Sequence, residues 1–177
     1  NRTGDKSDTI SQPKVYREII AEVAGLKSAE FVINVGDLIA GYTKDPEIAL
    51  KQWAAFDEVS LKADKPYLVV AGNHDVVGGP LGAIYEQRFG KRYYSFAYKG
   101  AHFVVLDSDM PGYGSKICPE QVKWLKGDLE NAQKAGSAPI FVFVHKPLWA
   151  SQRGMDKSNW RTEIHPLLVK YGVAAVF

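Results

Sequence analysis

The sequence predicts an α/β fold in which mixed β-sheets are flanked by helices. Four short apolar runs have the length and composition of buried strands, and segments with apolar residues at helical spacing separate most of them. Two further runs, one of them rich in aromatic residues, flank a Lys-Gly turn and predict an antiparallel hairpin. The buried runs span residues 31–35, 67–71, 140–144 and 173–177, and the hairpin runs span 93–98 and 102–106.

Start signals in the sequence place the helices between these strands. Pro13 stands in the first turn of the first helix, with Ser11 as its expected N-cap and Gly25 as its end. Asp45 and Pro46 open a second helix. Its expected buried positions are Ile48, Trp53, Phe56 and Val59. Further helices are expected around 81–89, from Pro119 onward and near 161–170.

The composition is that of an ordinary soluble globular protein. Its 177 residues suit one domain, with 46% hydrophobic and 24% charged residues. The net charge of +2 is too small to indicate a nucleic-acid or membrane partner. No apolar run approaches transmembrane length. The single cysteine, Cys118, excludes an intramolecular disulfide, and the chain starts at Asn1, so a cytoplasmic and an exported location both stay open.

Three of the predicted strands end in clusters of polar residues that are typical metal ligands. In open α/β sheets, ligands bind beyond the carboxyl ends of the strands, so we expect these clusters to share one sheet edge. Together they supply carboxylates, an amide and imidazoles, which are donor types found in transition-metal sites. The clusters are Gly36-Asp37, Gly72-Asn73-His74-Asp75 and His145-Lys146-Pro147.

This ordered series of motifs resembles that of the calcineurin-like metallophosphoesterases. Gly-Asn-His-Asp is fairly specific, Gly-Asp alone is weak, and the series with His-x-Pro is strong. The likeness spans the whole chain and implies the α-β-β-α sandwich of that family. The family series also opens with Asp-x-His and closes with Gly-His-x-His, and neither motif is present. We therefore expect residues 1–177 to form a single, partial domain that is truncated at both ends.

The resemblance implies a role for each residue of the motifs. Asp37 matches the carboxylate that bridges two metal ions, and Asn73 and His145 match an amide and an imidazole ligand of one of them. His74 matches the histidine that contacts the phosphate and protonates the leaving oxygen, and Asp75 is expected to orient it. The two ions would be Mn, Fe or Zn. At most one of the two metal sites has most of its ligands within this chain.

The function that the resemblance implies is hydrolysis of phosphate monoesters or diesters by metal-activated water. The substrate would be a phosphate-ester small molecule or a nucleotide, and loops 41–45, 76–82 and 146–159 are expected to select it. The alternative is a catalytically incomplete phosphoesterase-like scaffold that acts as a binding or interaction module. A hydrolase with a nucleophilic serine has little support, because the sequence lacks a Gly-x-Ser-x-Gly motif.

Several other polar residues are predicted to be structural. His102 and His165 are expected to serve packing, although both are potential ligands. Asp107 and Asp109 follow a strand but are interpreted as loop or turn residues. Asn34 lies within an apolar run and would be a buried amide that needs partners, with no function assigned to it.

Overall fold

The computed structural model describes residues 9–114, 116–149 and 157–177. The chain divides into two compact units, the first ending at Gly90 and the second beginning at Lys91. Each unit contains its own sheet, helices and buried core, and each is described by itself below.

The first unit is built on a two-stranded parallel sheet. In its register Asn34 lies opposite Val69, so both strands end on the same side and the residues that follow them emerge together. The elements are α1 (Lys14–Gly25), β1 (Val32–Asn34), α2 (Pro46–Ser60), a 3₁₀ turn (Leu61–Ala63), β2 (Tyr67–Val69), α3 (Asn73–Val76) and α4 (Leu81–Phe89).

The two predicted N-caps of this unit have different outcomes. Asp45 caps α2 as expected, because its side chain accepts the backbone N–H of Glu47 at 2.8 Å, and Pro46 occupies the first turn. The prediction of Ser11 as the cap of α1 is wrong. Pro13 occupies that position with an extended backbone, and no side chain bonds to the first turn of the helix.

An aromatic cluster forms the main core of the first unit. The ring of Trp53 packs edge-on against Phe56 at 5.7 Å and against Phe89 at 5.3 Å between centroids. Trp53, Phe56 and Val59 are buried as predicted, whereas Ile48 is only half-buried. This packing fixes α2 and α4 to the sheet whose strand ends carry the polar clusters.

The second unit is built on a four-stranded mixed sheet in the order β3-β4-β5-β6. The β3–β4 pair is the predicted antiparallel hairpin, and the other two pairs are parallel. Leu106 lies opposite Val144, so β4 and β5 end side by side. The elements are β3 (Tyr94–Tyr98), β4 (Ala101–Leu106), α5 (Pro119–Lys134), β5 (Ile140–Val144), a π-helical turn (Trp160–Ile164), α6 (His165–Lys170) and β6 (Ala175–Val176).

The structure confirms the predicted fold class of mixed sheets flanked by helices. It differs in detail near the end of the chain, where the helix predicted for 161–170 is divided into a π-helical turn and α6. None of the helices in the described ranges is both long enough and apolar enough to cross a bilayer. The assignment of residues 1–177 to one domain stays a prediction.

Candidate functional site

The carboxyl group of Asp75 joins the loops that follow β1 and β2. Its Oδ1 accepts the backbone N–H groups of Leu38 at 2.7 Å and Ile39 at 3.2 Å. Its Oδ2 accepts those of Asp37 and Gly72, both at 2.9 Å. One side chain from the second loop therefore fixes the backbone of both loops at one sheet edge. Two of the three predicted clusters lie there, but the third follows β5 in the other sheet, so the expectation of one edge shared by all three is wrong.

Burial is the main electrostatic influence on Asp75. The side chain is completely buried, and desolvation raises its pKa to about 7. The negative charge of Asp37 raises the pKa further, whereas the backbone N–H groups of Gly72, Leu38 and Ile39 lower it. The four backbone N–H groups fill the four acceptor positions of the carboxylate, so the ionised form is the one that holds both loops, and a proton would displace one donor.

The expected role of Asp75 as the orienting partner of His74 is not what the structure shows. Its two oxygens are already used by four backbone donors. The imidazole is instead held by the carbonyl oxygen of Ala40, which lies 2.5 Å from Nδ1. Because a carbonyl can only accept, Nδ1 carries the proton. Asp75 is therefore a positioning residue for the loop backbone, and Ala40 sets the tautomer of His74.

The side chain of Asp37 faces His74 in this arrangement. Its Oδ1 accepts the backbone N–H of His74 at 3.1 Å, and its Oδ2 lies 3.8 Å from His74 Nε2. Asp37 has a φ of 57°, a left-handed conformation in which an aspartate is strained but tolerated. Such strain is common at functional sites, where the surrounding structure imposes it.

Two glycines allow the loops to approach this closely. A Cβ on Gly72 would lie 2.5 Å from Asp37 Oδ1 and nearer still to the Asp37 backbone nitrogen, closer than real Cβ atoms come to other atoms. A Cβ on Gly41 would overlap the backbone carbonyl of His74, and Gly41 has a left-handed φ of 66°. Side chains at either position would push the site apart.

Asn73 is the first residue of α3, and it is half-buried. Its amide nitrogen donates to the hydroxyl of Tyr42, so the oxygen is the atom with which this side chain would bind a cation. The Tyr42 ring also lies against the His74 imidazole, with 4.5 Å between ring centroids. Three of the predicted site residues, together with Asp75, are therefore brought together in the first unit.

His145 belongs to the second unit, where it directly follows β5 and is half-buried. The loop that contains it is tied to the loop after β4. The backbone N–H of Lys146 donates to Ser108 Oγ at 3.3 Å, and the Lys146 ammonium group binds the carboxylate of Asp109. Neighbouring parallel strands thus fix the position of His145 through the residue next to it.

Asp107 and Asp109 lie in a loop as predicted, but both are buried and charged partners surround them. Asp107 Oδ2 lies 3.9 Å from Arg92 Nη1, and Gln121 brackets the Asp107 backbone with hydrogen bonds of 2.8 and 3.0 Å. Burial raises the pKa of Asp107, while the backbone N–H of Asp109 and the charge of Arg92 lower it. No local pattern predicts this network, because its partners are far apart in the chain.

His102 has a structural partner, as expected: its Nε2 lies 2.7 Å from a carboxylate oxygen of Asp128. His165 begins α6 and is exposed.

Of the loops expected to select a substrate, 41–45 and 76–82 lie within the described residues, whereas part of 146–159, residues 150–156, lies outside them.

The side-chain oxygen atoms of Asp37 and Asn73 in the first unit are of donor types that bind metal ions. Across the described ranges, no group of three or more His, Cys, Asp or Glu side chains could hold a metal ion. The predicted ligand set contains only two residues of these types, Asp37 and His145, because its third member is an amide. Asp37 and Asn73 supply oxygen donors from adjoining loops, and Gly72 keeps side-chain bulk away from the carboxylate.

Comparisons with known proteins identify relatives of the chain. The family described as calcineurin-like phosphoesterase matches residues 7–177. The serine/threonine-protein phosphatase CPPED1 of Mus musculus is 32% identical over 170 residues, which are 84% of this chain and 52% of that protein. A purple acid phosphatase of Glycine max is 29% identical, covering 85% of this chain and 36% of that protein. The chain thus spans about half the length of the Mus musculus protein and less than half the length of the Glycine max protein.

A solved structure shows the same fold. Its title is "GAP50 the anchor in the inner membrane complex of Plasmodium", and it aligns with a TM-score of 0.66 and 17% identity. The alignment covers 96% of this chain and 62% of that one. At this identity the likeness concerns the fold alone.

Proposed function

The chain belongs to the calcineurin-like phosphoesterase family, and we propose that it forms the core of a metal-dependent phosphoester hydrolase. One observation carries the proposal. A single buried carboxyl group holds two strand-end loops together so that Asp37, Asn73 and His74 are adjacent. These are the residues that the motif series assigned to catalysis and metal binding.

We propose that two metal ions serve this reaction, with Asp37 shared between them. The motif resemblance assigns Asn73 and His145 as further ligands of one ion, and Mn, Fe or Zn would suit such donors. When bound, the metals supply a nucleophilic water near neutral pH and stabilise the charge on the phosphate oxygens. Asp37 suits a shared position because a carboxylate carries two donor oxygens and a negative charge.

His74 is the proposed acid for the leaving oxygen. The carbonyl of Ala40 occupies Nδ1, so Nε2 is the atom with which the ring exchanges a proton. Nε2 lies 3.8 Å from the carboxylate of Asp37, so the ring faces the group that is the proposed metal ligand. Packing of Tyr42 against the imidazole limits its rotation, which keeps Nε2 directed toward the same side.

The relatives favour phosphate monoesters as the substrate class. The curated relatives are serine/threonine-protein phosphatases and purple acid phosphatases. We therefore propose hydrolysis of monoesters in preference to diesters. The full-length protein should release nitrophenol faster from para-nitrophenyl phosphate than from the bis ester when Mn²⁺ is supplied.

Replacing the ligands tests the proposal directly. In the full-length protein, Asp37→Ala and Asn73→Ala should abolish metal-dependent hydrolysis while circular dichroism shows a folded chain. Asp45→Ala, which removes an exposed aspartate at the start of α2, should leave activity intact. Turnover that survives in both ligand variants would overturn the assignment.

A non-catalytic scaffold is the second candidate. It is motivated by one observation: within the described residues, no group of three or more His, Cys, Asp or Glu side chains could hold a metal ion. A scaffold would bind no Mn²⁺ in calorimetry and would hydrolyse neither ester. Stoichiometric Mn²⁺ binding accompanied by turnover would exclude it.

A further inference from the structure

The amide of Asn34 links the end of β1 to a row of half-buried and buried hydroxyl groups. Its Nδ2 donates to the hydroxyl of Tyr67 at 3.0 Å, and its Oδ1 accepts the backbone N–H of Gly36 at 3.2 Å. Gly36 precedes Asp37. Asn34, predicted to be a buried amide without an assigned function, is half-buried and contacts the loop that carries the proposed bridging carboxylate.

The row continues from Tyr67 into the helices. The hydroxyls of Tyr67 and Tyr16 are 2.9 Å apart, and Tyr16 lies 2.7 Å from Ser60 Oγ. Ser60 in turn donates to the carbonyl oxygen of Phe56 at 2.8 Å. Strand β2 and helices α1 and α2 each contribute a hydroxyl, so the row is anchored in three elements of the core.

The groups at the two ends of this row fix which partner donates in each of its hydrogen bonds. A carbonyl can only accept, so Ser60 uses its one proton on Phe56 and must accept from Tyr16. Tyr16 has then used its own proton, so it accepts from Tyr67, and Tyr67 accepts from the Asn34 amide. Burial raises the pKa of the Tyr16 phenol above its usual value, so the hydroxyl keeps its proton.

This order of donors determines which way the Asn34 amide is turned. Its nitrogen must face Tyr67, which leaves its oxygen toward the N–H of Gly36, a group that can only donate. If the amide were rotated by 180°, its NH₂ group would face the Gly36 N–H, which is also a donor. Its oxygen would face the Tyr67 hydroxyl, which already donates its proton to Tyr16, so neither hydrogen bond could form. The row therefore permits one amide orientation, the one that holds the backbone before Asp37.

We propose that Asn34, supported by Tyr67 and Tyr16, is a positioning residue that sets the geometry of Asp37 for metal binding. The inference rests on the proposed function, because it concerns the same carboxylate. Asp37 is held in a strained left-handed conformation, so its backbone needs restraint on both sides. Asp75 holds the N–H of Asp37 itself, and Asn34 holds the N–H of the residue before it.

The test measures Mn²⁺ affinity by titration calorimetry and turnover of para-nitrophenyl phosphate in the full-length protein. Asn34→Ala and Tyr67→Phe should each weaken Mn²⁺ binding by about 10-fold or more, the usual effect of removing a residue that orients a metal ligand. Tyr171→Phe is the matched control. It also removes a tyrosine hydroxyl bonded to a side chain at 2.9 Å, but in the second unit, and should leave the affinity unchanged.

A double-mutant cycle separates positioning from general stability. If Tyr67 acts through Asn34, Tyr67→Phe should have no further effect on Mn²⁺ affinity when Asn34 is already alanine. If Asn34→Ala does not fold, Tyr67→Phe and Tyr16→Phe carry the test, since each keeps its ring. If Tyr67→Phe and Tyr16→Phe bound Mn²⁺ as tightly as Tyr171→Phe, the inference about Asn34 would be overturned and the proposed function would stand. A wild-type protein that neither binds Mn²⁺ nor turns over the ester would overturn the proposed function and this inference with it.

Discussion

Substitution of Gly72 by alanine should damage both the stability and the activity of the protein. The added Cβ would lie 2.5 Å from Asp37 Oδ1, whereas real Cβ atoms stay at least 3.0 Å from such neighbours. The backbone nitrogen of Asp37 is closer still, at 2.3 Å, and cannot rotate away, so the two loops must separate by at least 0.7 Å to reach 3.0 Å. Overpacking of this kind costs about 1–3 kcal/mol of unfolding free energy.

The effect on activity should be larger than the effect on folding. A displacement of about 1 Å in a reacting constellation lowers rates by about 100-fold. A shift of Asp37 by at least 0.7 Å should therefore reduce turnover by an easily measured factor. The assay is urea unfolding followed by fluorescence, combined with Mn²⁺-dependent hydrolysis of para-nitrophenyl phosphate. Gly72→Ala should lose stability and most of its kcat.

Gly127 provides the matched control for this substitution. It lies in the interior of α5, and a Cβ there would meet no atom within 4 Å. Gly127→Ala should therefore stabilise the protein by up to about 1 kcal/mol through helix propensity, with activity unchanged. If Gly72→Ala matched Gly127→Ala in stability and turnover, the close approach of the two loops would not be required and the reasoning would be refuted.

Three other substitutions test separate parts of the site. Asp75→Asn replaces one accepting oxygen with an amide nitrogen and leaves two of the four backbone donors unpaired. It should lower the free energy of unfolding in urea by about 2–6 kcal/mol. Asp45→Asn, at an exposed N-cap, is the control and should be nearly neutral. His74→Ala should lower kcat yet retain Mn²⁺ affinity in calorimetry, and lost affinity would show that His74 is a ligand. Burial raises the pKa of Asp107, so the folded state binds its proton more tightly and stability should fall as pH rises above about 4, the ordinary aspartate pKa. Asp107→Asn should reduce that slope, and an unchanged slope would assign it to other groups.

The strands and helices followed from local patterns in the sequence. The apolar run at 140–144 is β5 residue for residue, and Asp45-Pro46 begins α2 as a cap and first turn should. The cap of α1 was misjudged because a serine two residues before a proline is a weak signal once the extended proline itself ends the loop. The π-helical turn near 160–164 has no distinct sequence pattern to announce it.

The site was predictable in its residue types but not in their contacts. The motif series predicted that Asp37, Asn73 and His74 lie together, and the structure brings them together because residues after paired parallel strands share a sheet edge. It assigned Asp75 to the wrong partner, because adjacency in sequence to His74 says nothing about four backbone donors in a neighbouring loop. Hydrogen bonds across long sequence separations, such as Asn34 to Tyr67, become visible only in the folded chain.

A carboxylate shared between two metal ions is the central element of the proposed mechanism. Electron paramagnetic resonance of the Mn²⁺-loaded full-length protein tests it most directly. A bridging Asp37 should give the spectrum of an exchange-coupled manganese pair, and Asp37→Asn should lose that spectrum. A wild-type protein that shows only isolated Mn²⁺, or a coupled spectrum that persists in Asp37→Asn, would contradict the account.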